Sequence, residues 1–185
     1  FFLSSFAAVP FWVWLSKRIG KHRAYLAAFF LLAFAHPLYL LLGEGDFWWM
    51  LPITILTGFA GGGFSSTLPN SMKADVIDLD TLNSGENRAA LFFSSWSFAQ
   101  KATGTIGGSL ALFGLAVFGF DPLPEAVNGP DELFGLRFLF STFPSLFFLV
   151  GAAIVWNYPI TEEMQVDIRA QIEARDQASL DTSSA

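Results

Sequence analysis

The chain has 185 residues, of which 53% are hydrophobic and only 14% charged, with 22 phenylalanines and a formal net charge of -6. A soluble domain usually carries about 25% charge, so this composition, with its charges gathered between apolar segments, predicts an all-α membrane protein. Cysteine is absent and the two histidines, His22 and His36, stand apart, which excludes a disulfide framework and a thiolate metal site. The negative charge sits mainly in two loops and the tail, and it carries no nucleic-acid signal.

In chain order there are about five hydrophobic segments. Phe1 to Leu15 is apolar but shorter than the ~20 residues a span needs. It begins with no Met and no signal-peptide n-region, and reads as the cut end of a longer helix. Tyr25 to Leu42 is the second segment, Phe47 to about Leu68 the third, Ala89 to about Phe120 the fourth, and Phe134 to Tyr158 the fifth. Beyond Pro159 the sequence turns polar and acidic. The predicted organisation is a transmembrane helical bundle over 1–158 and a tail over 159–185.

The distribution of basic residues predicts orientation. Lys17, Arg18, Lys21 and Arg23 lie in the first loop, Lys73 and Arg88 in the third connection, and Arg169 and Arg175 in the tail, whereas Gly43 to Asp46 and Gly119 to Leu133 have no Lys or Arg. Arg137 is the one basic residue on the other side. The positive-inside rule places the first loop, the third connection and the tail in the cytoplasm. Phe47, Trp48 and Trp49 fall where an aromatic belt would sit.

Lys101 lies inside the fourth segment, roughly 18 Å of helix from its cytoplasmic start. An ammonium at that depth costs roughly 3 kcal/mol on insertion scales, so it is expected to face a wet cavity or an ion-pair partner. Ser94, Ser97, Lys101, Thr105 and Gly108 recur at steps of three and four and share one helical face. Gln100 and Gly104 flank this stripe, and Phe92, Trp96, Ala99, Thr103 and Ile106 lie opposite. The central parts of the other segments offer no Asp or Glu as a partner, so the expected partner is a ligand, water, or an acid in a part of the protein outside this chain.

Gly58 and Gly62 of the third segment share a face, with Gly61 and Gly63 beside them. Close helix packing and a bending element are both open readings. Pro69 is expected to end or kink this helix. In the third connection, Asp75 and Asp78 are three apart and share a helical face. With Arg88 or Lys73 as partners they would form a charge network that opens and closes with conformation, and a solvated loop is the alternative. In the tail, Thr161 is a candidate cap followed by Glu162 and Glu163. Met164, Ile168 and Ile172 predict a short amphipathic helix, with Ser183 and Ser184 in a disordered end.

Several of these stretches resemble the glycoside–pentoside–hexuronide:cation symporters of the major facilitator superfamily. They are Ala74-Asp75-Val76-Ile77-Asp78, the turn from Gly85 to Arg88, Leu91-Phe92-Phe93, and a lysine near the middle of the next helix. Trp12 to Arg23, with Leu15-Ser16, Arg18 and Gly20, is similar to the superfamily's loop between helices eight and nine, and Tyr158-Pro159 with the polar tail also fits. The resemblance implies a C-terminal helical bundle, family helices eight to twelve, whose N-terminal half would be missing here. It implies alternating access between two halves around a midplane site, with Na⁺ or H⁺ co-transported with a sugar or related solute and no resident cofactor. The lysine matching Lys101 lines the central cavity in that family, where Gln100, Ser97 and Thr105 would supply polar contacts and Trp96 a stacking surface. The family's cytoplasmic gate would fall on Asp75, Asp78, Arg88 and Arg18. The sequence departs from the pattern at Lys17, where an acid is common, at Val13, where Gly is common, and at Ala89-Ala90, where Glu-Gly is common, so gating roles transfer less directly.

The expected partners are thus a small solute, a coupling cation, membrane lipid and an N-terminal half, in a bacterial inner membrane with the C-terminus cytoplasmic. Some members of this branch carry lysolipids rather than sugars. A non-transporting sensor or structural subunit would keep the topology and lose the cavity. An enzyme is not expected, because no nucleophile, base and metal ligands converge in the segments.

Overall fold

A computed structural model of the chain describes residues 1–123 and 125–183, and its regular elements are all helical. Ser184 lies outside the described residues. The elements are α1 (Phe2–Ile19), α2 (Lys21–Ala35) continuing as a 3₁₀ turn (His36–Leu41), α3 (Phe47–Gly62), a π turn (Gly63–Thr67), α4 (Leu68–Ser84), α5 (Ala89–Val117), α6 (Pro130–Val155) and α7 (Glu162–Ser183). The break between α1 and α2 is a single residue, Gly20, whose φ of 90° is open to glycine at little cost.

The core forms where α1, α2 and the α3–α4 helix meet. Ala8, Trp12, Ala24, Ala28 and Leu68 are buried together, with Tyr25, Phe59 and Phe64 packed around them. Trp12 is 2% exposed, and its indole N–H donates to the Phe59 carbonyl at 2.7 Å, so the one polar atom of the largest core side chain is satisfied. The glycines of α3 make this approach possible. A Cβ at Gly62 would stand 2.4 Å from the Ser5 carbonyl oxygen, and one at Gly63 would stand 2.5 Å from the Trp12 ring. Small residues let backbones touch where lipid offers no hydrophobic drive.

Of the ending or kink expected at Pro69, the ending does not occur: α3, a π turn and α4 form one run from Phe47 to Ser84. Of the two readings of the Asp75–Asp78 stretch, the shared helical face is found and the solvated loop is not. Proline removes an N–H from the ladder. The π turn falls just before it, and side-chain hydroxyls take up carbonyls there. Ser65 Oγ donates to the Gly61 oxygen at 2.8 Å and Thr67 Oγ1 to the Gly62 oxygen at 2.9 Å. These bonds lie at the π turn itself, where the change of hydrogen-bond register disturbs the backbone ladder.

Three helical runs among the described residues are long and apolar enough to cross a membrane by length and composition: Lys21–Leu41, Phe47–Ser84 and Pro130–Val155. Of the other two expected spans, α1 ends on Lys17 and Arg18. α5 is long enough, at 29 residues or ~44 Å, but its Ser, Thr, Gly, Gln and Lys residues dilute its apolar character.

Candidate functional site

The helix α5 carries no buried residue, yet it has a clear inner side. Trp96, Ala99, Gln100 and Thr103 face Tyr25, Phe64, Ser65 and Pro69 across a cavity of about 490 Å³. Further along, Ile106, Gly107, Leu110 and Ala111 face Leu139, Phe143 and Phe147 of α6 across about 380 Å³. Lys101 is five residues beyond Trp96, hence ~140° around the helix. Ser94, Ser97, Lys101, Thr105 and Gly108 are exposed on this outer side. Among the described residues, no ion pair or hydrogen bond engages the Lys101 ammonium. The carbonyl of Lys101 accepts from the Thr105 hydroxyl at 3.1 Å.

The five expected cavity residues therefore divide. Lys101, Ser97 and Thr105 share the outer face, while Trp96 and Gln100 line the inner cavity. Trp96 is also occupied: the Lys73 ammonium sits 4.7 Å from its ring centroid and 5.2 Å from that of Phe93. The sequence proposed Lys73 as an ion-pair partner for Asp75 or Asp78, and the structure gives it aromatic partners instead.

The second charged centre lies at the end of α4, where α1 meets α2 and α7 docks. Asp75 is 2% exposed, and both its oxygens accept from Lys21 Nζ, at 2.7 and 2.8 Å. The same ammonium reaches Gln165 Oε1 at 3.4 Å. Asp78 pairs with Arg169 at 3.1 Å, and Arg175 donates to the Thr81 carbonyl at 3.1 Å. The Tyr158 hydroxyl donates to the Met72 carbonyl at 3.3 Å. Burial, reinforced by the charge of Asp75, pushes this phenol up to about 12.

The gate residues expected from the sequence are thus not assembled with one another. Arg88 bonds Asp80, with Nε 3.0 Å from Oδ2, rather than Asp75 or Asp78. That pairing raises its pKa further above the ordinary guanidinium value. Arg18 lies over the Trp14 ring at 5.3 Å. Lys21, Gln165 and Arg169 take the places at the aspartates. Nothing in the spacing separates Lys21 from Lys17 or Arg23, and at the start of the expected apolar face of the tail Gln165 is buried in place of Met164. Ile168 is 3% exposed and Gln165 5%, whereas Met164 is 42% exposed. The docked face therefore runs through Gln165, Ile168 and Ile172.

Comparison with known proteins places this arrangement. Residues 1–162 match the MFS/sugar transport protein family. An uncharacterized symporter of Synechocystis is 33% identical over 72% of this chain and 27% of its own length. A glucuronide carrier protein homolog of Escherichia coli is 27% identical over 91% of this chain and 36% of its own. A sodium-dependent lysophosphatidylcholine symporter of Danio rerio is 26% identical over 97% of this chain and 34% of its own. The chain spans about a third of the length of the curated relatives it matches. With its helical bundle and apolar spans, the chain is that of a membrane protein and belongs to the MFS/sugar transport protein family, in the branch resembling the glycoside–pentoside–hexuronide:cation symporters.

Proposed function

We propose that this chain is the C-terminal bundle of a cation-coupled symporter that moves a sugar or related polar solute by alternating access across a bacterial inner membrane. One observation carries the reading. The polar stripe of α5 is turned away from the helices present, with the Lys101 ammonium at its centre unpaired among the described residues, while the opposite side of α5 lines the two cavities. A polar, charged face of a membrane helix is stable against water or polar protein groups and unfavourable against acyl chains. It therefore suits a translocation pathway shared with an N-terminal half. Lys101 would hold the charge balance there for a coupling Na⁺ or H⁺ and for solute, with Ser97 and Thr105 as hydrogen-bonding groups.

In this orientation the α7 end faces the cytoplasm. Asp75 and Asp78, held by Lys21 and Arg169, would stiffen that end of the bundle. Arg88 and Arg18, more exposed, remain for contacts across to the other half.

The test is uptake of a radiolabelled glucuronide by the full-length protein in proteoliposomes, under an inward Na⁺ or H⁺ gradient. Lys101→Ala is expected to abolish gradient-driven uptake while the protein still inserts and purifies normally. Uptake at the parental rate would remove the assignment.

A second solute class is favoured by the almost wholly apolar crevice between α5 and α6. A lysophospholipid tail would fit its chemistry, and a relative is named as a lysophosphatidylcholine symporter. Competition of glucuronide uptake by lysophosphatidylcholine below its micellar concentration separates the two solutes.

A further inference from the structure

The helix bearing Lys101 is held at its two ends and underpacked between them. At its start, Phe93 and Trp96 grip the Lys73 ammonium. Near its end, a Cβ at Gly114 would stand 2.8 Å from Leu139 Cδ2, and one at Gly135 of α6 would stand 2.2 Å from the Phe118 ring just beyond α5. Between these contacts lie the cavities of about 490 and 380 Å³. Gly104, Gly107 and Gly108 have nothing within 4 Å of where a Cβ would be.

Lys73 has three aspartates on its own helix, but Asp80 is taken by Arg88, and Asp75 and Asp78 are taken by Lys21 and Arg169. The latter two pairs tie α4 to α2 and to α7. Lys73 extends from this fixed helix toward α5, and tryptophan is the best aromatic acceptor for a cation.

We propose that Lys73 is a positioning residue: its ammonium, seated on the rings of Phe93 and Trp96, sets the rotation of α5 about its own axis and so the direction in which the Lys101 stripe faces. Five residues separate Trp96 from Lys101, so a helix that keeps its hydrogen bonds transmits the azimuth of one to the other. The Gly114 and Phe118 contacts are apolar and hold the far end of α5 without a directional bond. The cation–π contact at the near end has a preferred geometry and resists rotation of the helix. The inference uses the stripe as pathway lining and so rests on the function proposed above, but its test reads helix rotation directly and needs neither solute nor gradient.

The test uses the full-length protein with single reporter cysteines, Thr105→Cys on the stripe and Gln100→Cys on the cavity side, and measures labelling rates by a water-soluble maleimide. Lys73→Met is expected to slow labelling at position 105 and speed it at position 100, each by about threefold, the scale of one lost cation–π contact. Lys73→Arg keeps the contact and is expected to leave both rates as in the parent. Trp96→Leu removes the acceptor ring, should reproduce Lys73→Met, and serves if the lysine variant does not insert. The inference is overturned if neither position changes in Lys73→Met or Trp96→Leu, or if both rates rise together, which would report general loosening. It is equally overturned if Lys73→Arg behaves as Lys73→Met.

Discussion

The ammonium of Lys21 bridges both oxygens of Asp75, joining the first turn of α2 to α4 across 54 positions of sequence. The Lys21 side chain is 18% exposed and that of Asp75 only 3%, so the pair is shielded from water on the aspartate side. Removing one member of such a pair leaves the other charge poorly solvated, which costs more than the pair itself contributes. Asp75→Ala is therefore expected to lower stability by ~2–3 kcal/mol, with a drop in the thermal transition of the detergent-purified full-length protein. The double variant Lys21→Met/Asp75→Leu should recover much of that loss. A single variant that melts with the parent would show that the pair is solvated after all.

The α1–α3 contact depends on backbone approach rather than on side-chain filling. Gly62→Ala puts a methyl 2.4 Å from the Ser5 carbonyl oxygen, a contact that only a backbone shift relieves, at ~1–3 kcal/mol. Gly104→Ala, in open space on α5, should be neutral or slightly stabilising through its better helix propensity. Comparing the thermal transitions of the two variants checks this. Equal effects would contradict the close approach.

Docking of α7 should rest on its buried face more than on its ion pair. Arg169 and Asp78 are both partly exposed, and exposed pairs contribute ~0–1 kcal/mol. Ile168 is almost fully buried, and truncating it to Ala costs ~2 kcal/mol or more. Limited proteolysis of the tail should therefore be accelerated strongly by Ile168→Ala and weakly by Arg169→Ala. The reverse order would mean that charge holds the helix.

Tyr158 gives a pH dependence with a defined sign. Its phenol ionises at about 12 in the folded protein against an ordinary 10.0, so the folded state holds this proton more tightly than the unfolded chain. The contribution is complete below pH ~10 and is lost as the pH rises from ~10 to ~12. Tyr158→Phe removes this term together with a hydrogen bond worth ~1 kcal/mol. It should be less stable than the parent at neutral pH, and the gap should narrow between pH 10 and 12. Parallel stability curves across that range would contradict the shift.

Much of the bundle was legible in the order of residues because the physical signals are local. The stripe on α5 follows from steps of three and four. The small-residue face of α3 follows from Gly58 and Gly62 being four apart, and the structure resolves that pair in favour of tight packing against Phe1 and Ser5. The resemblance carried by the Asp75–Asp78 run and the Gly85–Arg88 turn led to the family to which the chain belongs. The continuity of α3 and α4 was not legible, because it depends on a π turn ahead of Pro69 that leaves no periodic signal in the residue order. On α7 the Ile168 and Ile172 positions were legible, but Met164 stood in for Gln165, a polar residue buried against Lys21.

By itself the sequence determined the class of molecule, the position of its apolar helices, and the presence of a charge in the middle of one of them, since composition and periodicity act within a few turns of chain. Only the tertiary structure decided which charges meet. Asp75 took Lys21, Asp78 took Arg169, Arg88 took Asp80, and Lys73 took two rings, leaving Lys101 on the far side of α5 unpaired among the described residues. Ion pairing depends on which helices lie side by side at which height, and a linear order of residues does not encode that distance.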